Sequence, residues 1–347
     1  MENAIKEQLL KILKTSDDLL ADGLPDRAAN LLDENKNRFY DSKDHEIILR
    51  FKLKLAFLFI QWSRWNEAWN LLDNALLMAH QHETDGGVWD DLIAEIYDDM
   101  GRITFRLGDY ESSKSLLNKT LAKTKEGSLL RGCAYNELAG VYSETGDLEL
   151  AIEYLTKSIE VLEALCNTVE LSRAYNNLSY TYIKLDRYDK SLEFALKAYA
   201  IAKEMGNKRF ISFASMNAST ALLKLGNIDG AREYYKLAQE ALMDSSEIYA
   251  LGCLYTLDGM IETEVGDFEE ARSAFEMARD YLEDSDIKFY LARLYCEYAV
   301  LQKKIGAPDE ARTYYKMALK MLENDRCKME IEKVHHCLSE LDKGQCK

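Results

Sequence analysis

The stretches Leu107-Gly108-Asp109-Tyr110 and Val265-Gly266-Asp267-Phe268 share a four-residue mark that recurs along the whole sequence. Glycine enters the left-handed backbone region in which helices commonly end, and an aspartate after it can cap a following helix. Further copies, some with the glycine or aspartate replaced, are Asp22-Gly23-Leu24-Pro25, Trp62-Ser63-Arg64-Trp65, Thr145-Gly146-Asp147-Leu148, Leu185-Asp186-Arg187-Tyr188, Leu225-Gly226-Asn227-Ile228 and Ile305-Gly306-Ala307-Pro308. From Gly146 to Gly306 the marks follow one another every 40 residues, so the sequence predicts a tandem repeat.

Small residues stand at fixed places around each mark. Alanine or serine lies five residues after it, for example Ala231 and Ala271, and alanine, serine or glycine lies seven before it, for example Ser219 and Gly259. Small side chains let two helix backbones approach closely, and the large residue nine after most marks would fill the remaining space. Each repeat is therefore predicted to be two antiparallel helices. Pro25 and Pro308 fall at the start of a second helix, where proline is tolerated.

The predicted fold class is all-α, with about eight helix pairs followed by a capping helix. The capping helix is expected at 327–342, where apolar residues recur on one face, and 343–347 reads as a tail. An insertion near 83–87 accounts for the single long step between marks. The eight pairs are predicted at about 1–41, 44–83, 89–127, 128–165, 168–205, 208–245, 248–285 and 288–325.

On these marks and small residues, the sequence resembles the tetratricopeptide repeat family over about residues 1–325. The usual period of that family is about 34 residues, and the longer period here is similar to kinesin light chains, the spindle-orientation adaptor and bacterial peptide sensors. Tyr175-Asn176-Asn177-Leu178 is particularly similar to the first two. The resemblance implies a right-handed α-solenoid in which the first helix of each pair lines a concave groove, and a protein–protein interaction scaffold or adaptor that binds a peptide or partner protein there.

The positions that such a groove would present are rich in amides and cations. Asparagine side chains donate to and accept from an extended peptide backbone, so partner contact is predicted; ordinary solvated helix positions are the alternative interpretation. Basic residues outnumber acids among all groove positions, so the ligand is expected to be acidic, extended or to carry a free carboxylate. The predicted site residues are Asn136, Arg173, Asn176, Asn177, Tyr180, Lys184, Asn217 and Lys224.

The sequence also argues against a nucleic-acid or membrane partner and against secretion. The net charge of -16 argues against nucleic acid, whose phosphates are bound by Lys and Arg, and against an anionic membrane surface. The first residues carry acids where a secretion signal would be basic and then apolar. The most apolar stretch, 53–62, is too short to span a bilayer, and the 7 cysteines are scattered like reduced thiols. We expect a cytoplasmic protein.

Catalytic and cofactor motifs are missing from the sequence. It has no glycine-rich phosphate loop and no Gly-x-Ser-x-Gly elbow. His80 and His82, and the Cys327, His335, His336 and Cys337 group, are better explained as surface or packing residues than as metal ligands. We predict no enzyme, no cofactor and no metal.

Two alternative functions remain open at this point. One is a peptide-responsive signalling or transcription regulator, although the repeat begins by Gly23 and leaves no room in this sequence for an N-terminal effector domain. The other is a structural subunit that assembles with copies of itself. A monomer or weak homodimer is expected for the adaptor.

Overall fold

The computed structural model describes residues 2–21, 24–82, 87–243, 248–283, 288–322 and 328–343. These residues form α-helices joined by short turns, and no strand occurs among them. The prediction of an all-α fold built from helical hairpins is confirmed. The chain divides into two compact units, Met1–Leu138 (the N-terminal unit) and Ala139–Lys347 (the C-terminal unit).

The N-terminal unit contains three complete hairpins. Each first helix packs against the second helix that follows it. The helices are α1 (Glu2–Ala21), α2 (Pro25–Asp41), α3 (His45–Gln61), α4 (Trp65–His80), α5 (Val88–Arg106), α6 (Tyr110–Lys123) and α7 (Leu129–Thr145), the last of which crosses the division between the units.

The C-terminal unit continues the pattern to the end of the described chain. Its helices are α8 (Leu148–Ala164), α9 (Thr168–Lys184), α10 (Tyr188–Glu204), α11 (Lys208–Lys224), α12 (Ile228–Leu242), α13 (Ile248–Val265), α14 (Phe268–Glu283), α15 (Lys288–Lys304), α16 (Pro308–Leu322) and α17 (Lys328–Asp342). The first helices α9, α11, α13 and α15 contact one another in that order, and we call the surface they share the first-helix face.

The hairpin turns coincide with the sequence marks wherever these are described. Gly108, Gly226 and Gly266 have φ of 76°, 80° and 91°, which is the left-handed region that glycine enters without a Cβ clash. Ser63 and Asp186 occupy the same region with φ of 57° and 56°, so the turn survives where glycine is replaced. The mark at Gly23 lies outside the described residues.

The small residues mark the places where paired helices cross. Ser179 Oγ donates to the carbonyl of Ser191 at 2.8 Å, and Ser219 Oγ donates to the carbonyl of Ala231 at 2.7 Å. A Cβ added at Gly259 would lie 2.3 Å from the ring of Phe275, which is fully buried. The close approach of the two helix backbones, and not only helix propensity, therefore requires small residues at these positions.

Several predicted features fall on residues that the structure does not describe. These are most of the insertion, at 83–86, then Cys327, and the end of the tail at 344–347.

Candidate functional site

The N-terminal unit buries several charged groups along α5. Arg102 Nη1 lies 3.3 Å from Asp99 Oδ1, and Arg102 Nε lies 3.7 Å from Glu137 Oε1. Burial raises the pKa of Asp99 to about 7, although Arg102 and Lys54 oppose the shift. A cavity of about 200 Å³ opens nearby, with Glu95 in its wall. This unit therefore holds a carboxyl group that titrates near neutral pH.

We expect Asp99 to make the protein less stable as the pH rises from about 4 to about 7. The unfolded chain loses this proton near the ordinary pKa of about 3.9, whereas the folded chain keeps it until about pH 7. The unfolded state thus binds fewer protons in this window, and the free energy of unfolding falls with pH by roughly 1–3 kcal/mol. Arg102, Lys54, Glu95 and Glu137 are the charged groups that act on it.

Urea unfolding of the wild type and Asp99→Asn at pH 4.5 and 7.5 measures this effect. The asparagine variant should lose much of the decline between the two pH values. Asp91→Asn, an exposed change on the same helix, should keep the wild-type decline. An Asp99→Asn variant that declines as steeply as the wild type would contradict the assignment.

Among the predicted site residues, Asn136 lies in the N-terminal unit, on α7, and is only 2 % exposed. The other predicted residues all belong to α9 and α11 in the C-terminal unit.

Two of the predicted asparagines meet directly on the first-helix face. Asn217 Nδ2, on α11, donates to Asn176 Oδ1 at 3.0 Å and to the Asn176 carbonyl at 3.1 Å, on α9. Both side chains are half-buried, as is that of Asn177. Because an amide has two donors and a carbonyl oxygen with two lone pairs, this contact uses part of the hydrogen-bonding capacity of the pair.

Lys184, the last residue of α9, lies in a buried charged cluster. Its side chain is 6 % exposed, and Nζ donates to the Ser143 carbonyl at 2.8 Å and lies 3.5 Å from Glu144 Oε1 and 3.1 Å from Glu330 Oε1. Burial by itself lowers the pKa of Lys184. The two carboxylates and Tyr180 together raise this pKa by more than burial lowers it, so it lies above its ordinary value. The ammonium group is therefore charged at neutral pH.

Tyr180 joins α9 to α15. Arg293 Nη1 donates to Tyr180 Oη at 3.2 Å, and the guanidinium carbon lies 5.5 Å from the Tyr180 ring centroid, as does Lys184 Nζ. Burial raises the pKa of Tyr180 even though Arg293 and Lys184 oppose this. We call Tyr180, Lys184, Arg293, Glu144 and Glu330 the Lys184 cluster.

A cysteine thiol lies close to this cluster. Burial raises the pKa of Cys253 to about 11 against the influence of Arg293. A thiol with such a pKa stays protonated at neutral pH, and the thiolate is the nucleophilic form. Cys253 is thus a packing residue and not an activated nucleophile.

The remaining predicted residues lie in different settings. Arg173 is half-buried and forms an ion pair with Glu170 one turn earlier on α9. Lys224 ends α11, in the register position that Lys184 has on α9, but it is exposed. The same repeat position therefore carries a buried cation in one hairpin and an exposed one in the next.

Sequence reasoning missed the contribution of α17 to this site. Glu330 and Lys333 come after the repeat has ended, so no register placed them near α9. Glu330 nevertheless pairs with Lys184, and Lys333 Nζ donates to the Lys184 carbonyl at 2.9 Å. Arg293 and Glu144 are groove positions by the repeat register, and their charge was the available signal.

The described residues contain no group of three or more His, Cys, Asp or Glu side chains placed to hold a metal ion. No described helix combines the length and the apolar character that crossing a membrane requires.

Comparison with known structures shows the fold. A Rap protein complexed with competence and sporulation factor has a TM-score of 0.65 and 14% identity, with coverage of 98% of this chain and 100% of that chain. NprR in complex with its cognate peptide NprX has a TM-score of 0.64 and 14% identity, with coverage of 97% and 98%. Aspartyl phosphate phosphatase F from Bacillus subtilis has a TM-score of 0.54 and 13% identity, with coverage of 96% and 93%.

Sequence comparison identifies the repeat itself. No curated protein matches the sequence significantly, but the family model for the tetratricopeptide repeat matches residues 130–204. The described hairpins on both sides of this segment have the same turns and the same small residues at their crossings. The chain is thus similar to the tetratricopeptide repeat over residues 130–204, and its other described hairpins share the geometry of that segment.

Proposed function

We propose that the chain is a protein-interaction adaptor that binds a peptide, or an extended segment of a partner protein, on the first-helix face of the C-terminal unit. The observation that carries this proposal is the half-buried amide pair of Asn176 and Asn217, which bridges two successive first helices. Amides in such a place can exchange their mutual bond for bonds to the main chain of a peptide.

One of the similar structures supports a peptide as the ligand, since NprR is complexed with its cognate peptide NprX. A Rap protein is complexed with competence and sporulation factor. At 14% identity they share the fold with this chain, and the shared function is our proposal. We propose binding and not phosphatase activity for this site, because the charged groups of the Lys184 cluster pair with one another and Cys253 stays protonated.

Charge points to an acidic ligand. Arg173, Lys184, Lys224 and Arg293 lie on or at the ends of α9, α11 and α15, while the whole chain has a net charge of -16. Lys224 is exposed, and the carboxylates that now pair with Arg173 and Lys184 could be exchanged for those of an acidic partner. Nucleic acid would meet strong repulsion elsewhere on the chain. We also propose a cytoplasmic location, since the 7 cysteines suit a reducing compartment.

A displayed peptide library that is screened for binding to the full chain tests the proposal. Acidic or carboxylate-ending peptides should be enriched, and their binding should weaken about tenfold in the Asn176→Ala/Asn217→Ala variant, which corresponds to about 1.4 kcal/mol. Asn118→Ala removes an exposed asparagine from α6 and should leave binding unchanged. Enrichment of basic peptides, or equal loss in both variants, would refute the proposed site.

A further inference from the structure

Helix α17 contacts two distant parts of the C-terminal unit. Its apolar side packs on α16, since Val334 and Leu341 are buried in the same core as Leu319. Arg312 Nη2 of α16 lies 3.1 Å from Asp342 Oδ1 near the end of α17. These contacts match the predicted capping role. The first turns of α17 make a further contact that a cap does not need, because they also contact the end of α9.

The contact with α9 has two parts of opposite charge. Glu330 Oε1 lies 3.1 Å from Lys184 Nζ, and their side chains are only 15% and 6% exposed. Lys333 Nζ donates to the Lys184 carbonyl at 2.9 Å. That carbonyl is one of the last four of α9, which lack partners within the helix and carry partial negative charge. One helix turn of α17 therefore provides a partner both for the Lys184 ammonium group and for the carbonyl at the end of α9.

This arrangement has the chemistry expected of a bound ligand. Glu330 is a carboxylate presented to a buried cation on the first-helix face, and it shares that cation with Glu144. Ile331 contributes less to the packing of α17, because it is half-buried whereas Val334 is 3% exposed. Polar contacts thus hold the first turns of α17 on α9, and an outside carboxylate could replace that of Glu330 with Lys184.

We propose that the first half of α17 is an internal occupant of the peptide site. A carboxylate of an acidic peptide competes with Glu330 for Lys184, and a main-chain N–H of that peptide competes with Lys333 for the carbonyl at the end of α9. This inference rests on the proposed function and names its regulation. The protein binds its ligand when these turns of α17 leave α9, while Val334 and Leu341 keep the rest of the helix on α16.

The test uses the full chain and a fluorescent peptide with the sequence of residues 328–342. In the variant Glu330→Gln/Lys333→Met, α17 loses both contacts with α9, so the labelled peptide should bind about tenfold more tightly than it binds the wild type. Glu332→Gln/Lys343→Met makes the same change of charge at two exposed positions, one on α17 and one directly after it, and should bind like the wild type. Amide hydrogen exchange in residues 330–334 should be faster only in the first variant.

Two outcomes would overturn the inference. One is equal peptide affinity of the two variants, and the other is unchanged hydrogen exchange in residues 330–334, either of which would leave α17 as a cap alone. The acidic peptides from the library separate this inference from the proposed function. If they bind the wild type and Glu330→Gln/Lys333→Met equally, the adaptor function stands and the internal occupant falls. If the 328–342 probe gains affinity and no library peptide binds, the occupant stands and the adaptor function falls.

Discussion

Replacing Lys184 by methionine is expected to lower the free energy of unfolding by about 3–5 kcal/mol at pH 7, because it removes the cation from a buried ion cluster. Glu144 and Glu330 would then face each other with side chains that are each 15% exposed. The Ser143 carbonyl would also lose its donor. Methionine has nearly the same length as lysine, so the loss reports charge and hydrogen bonding and not a cavity.

Urea unfolding measures this loss, and the chain supplies a matched control. Lys224 occupies the same repeat position as Lys184, at the end of α11, but it is exposed, so Lys224→Met should change stability by less than about 0.5 kcal/mol. Adding Glu144→Gln and Glu330→Gln to Lys184→Met should recover much of the loss, since the two carboxylates that lost their cation are then neutral. Equal effects of the two lysine changes would show that the cluster is not buried in solution.

The second large effect is expected at the crossing of α13 and α14. Gly259→Ala places a Cβ 2.3 Å from Cδ1 and Cε1 of the Phe275 ring, and this ring is fully buried. Overpacking of this kind costs about 1–3 kcal/mol, and the higher helix propensity of alanine returns only about 1 kcal/mol. We expect a net loss of up to about 2 kcal/mol, which is seen as a lower midpoint of urea unfolding.

A smaller partner tests the steric reason. Phe275→Leu alone should be destabilising because it leaves a cavity, whereas the double variant Gly259→Ala/Phe275→Leu should be more stable than the sum of the single losses predicts. Units with alanine at this register have leucine or tyrosine opposite it, as Ala139 and Leu155 do. Strict additivity would show that the ring is not the obstacle.

The hairpin fold could be predicted because its determinants are local. The turn at Gly226 needs only a residue that tolerates positive φ, and the crossing at Ser219 and Ala231 needs only small side chains twelve residues apart. These requirements repeat in every hairpin, so a single sequence shows them several times.

The candidate site was predictable only in part. The register brought Asn176 and Asn217 together on neighbouring helices, as the structure does. It could not distinguish Lys184 from Lys224, because one of the acids that pair with Lys184 is Glu330, which belongs to a segment outside the repeat. Contacts between residues far apart in the chain leave no periodic signal, so the role of α17 required the structure.

The bonds that Lys184 and Tyr180 make across the first-helix face also change how the C-terminal unit comes apart. In a stack of repeats joined only to their neighbours, the terminal repeats can fray while the middle remains folded. Here the Tyr180–Arg293 and Lys184–Lys333 bonds connect residues 113 and 149 positions apart. Fraying of the last helices thus leaves charged groups of the fifth hairpin without their partners, which costs free energy. Because of this cost, we expect the fifth hairpin and the last helices to unfold in one cooperative transition.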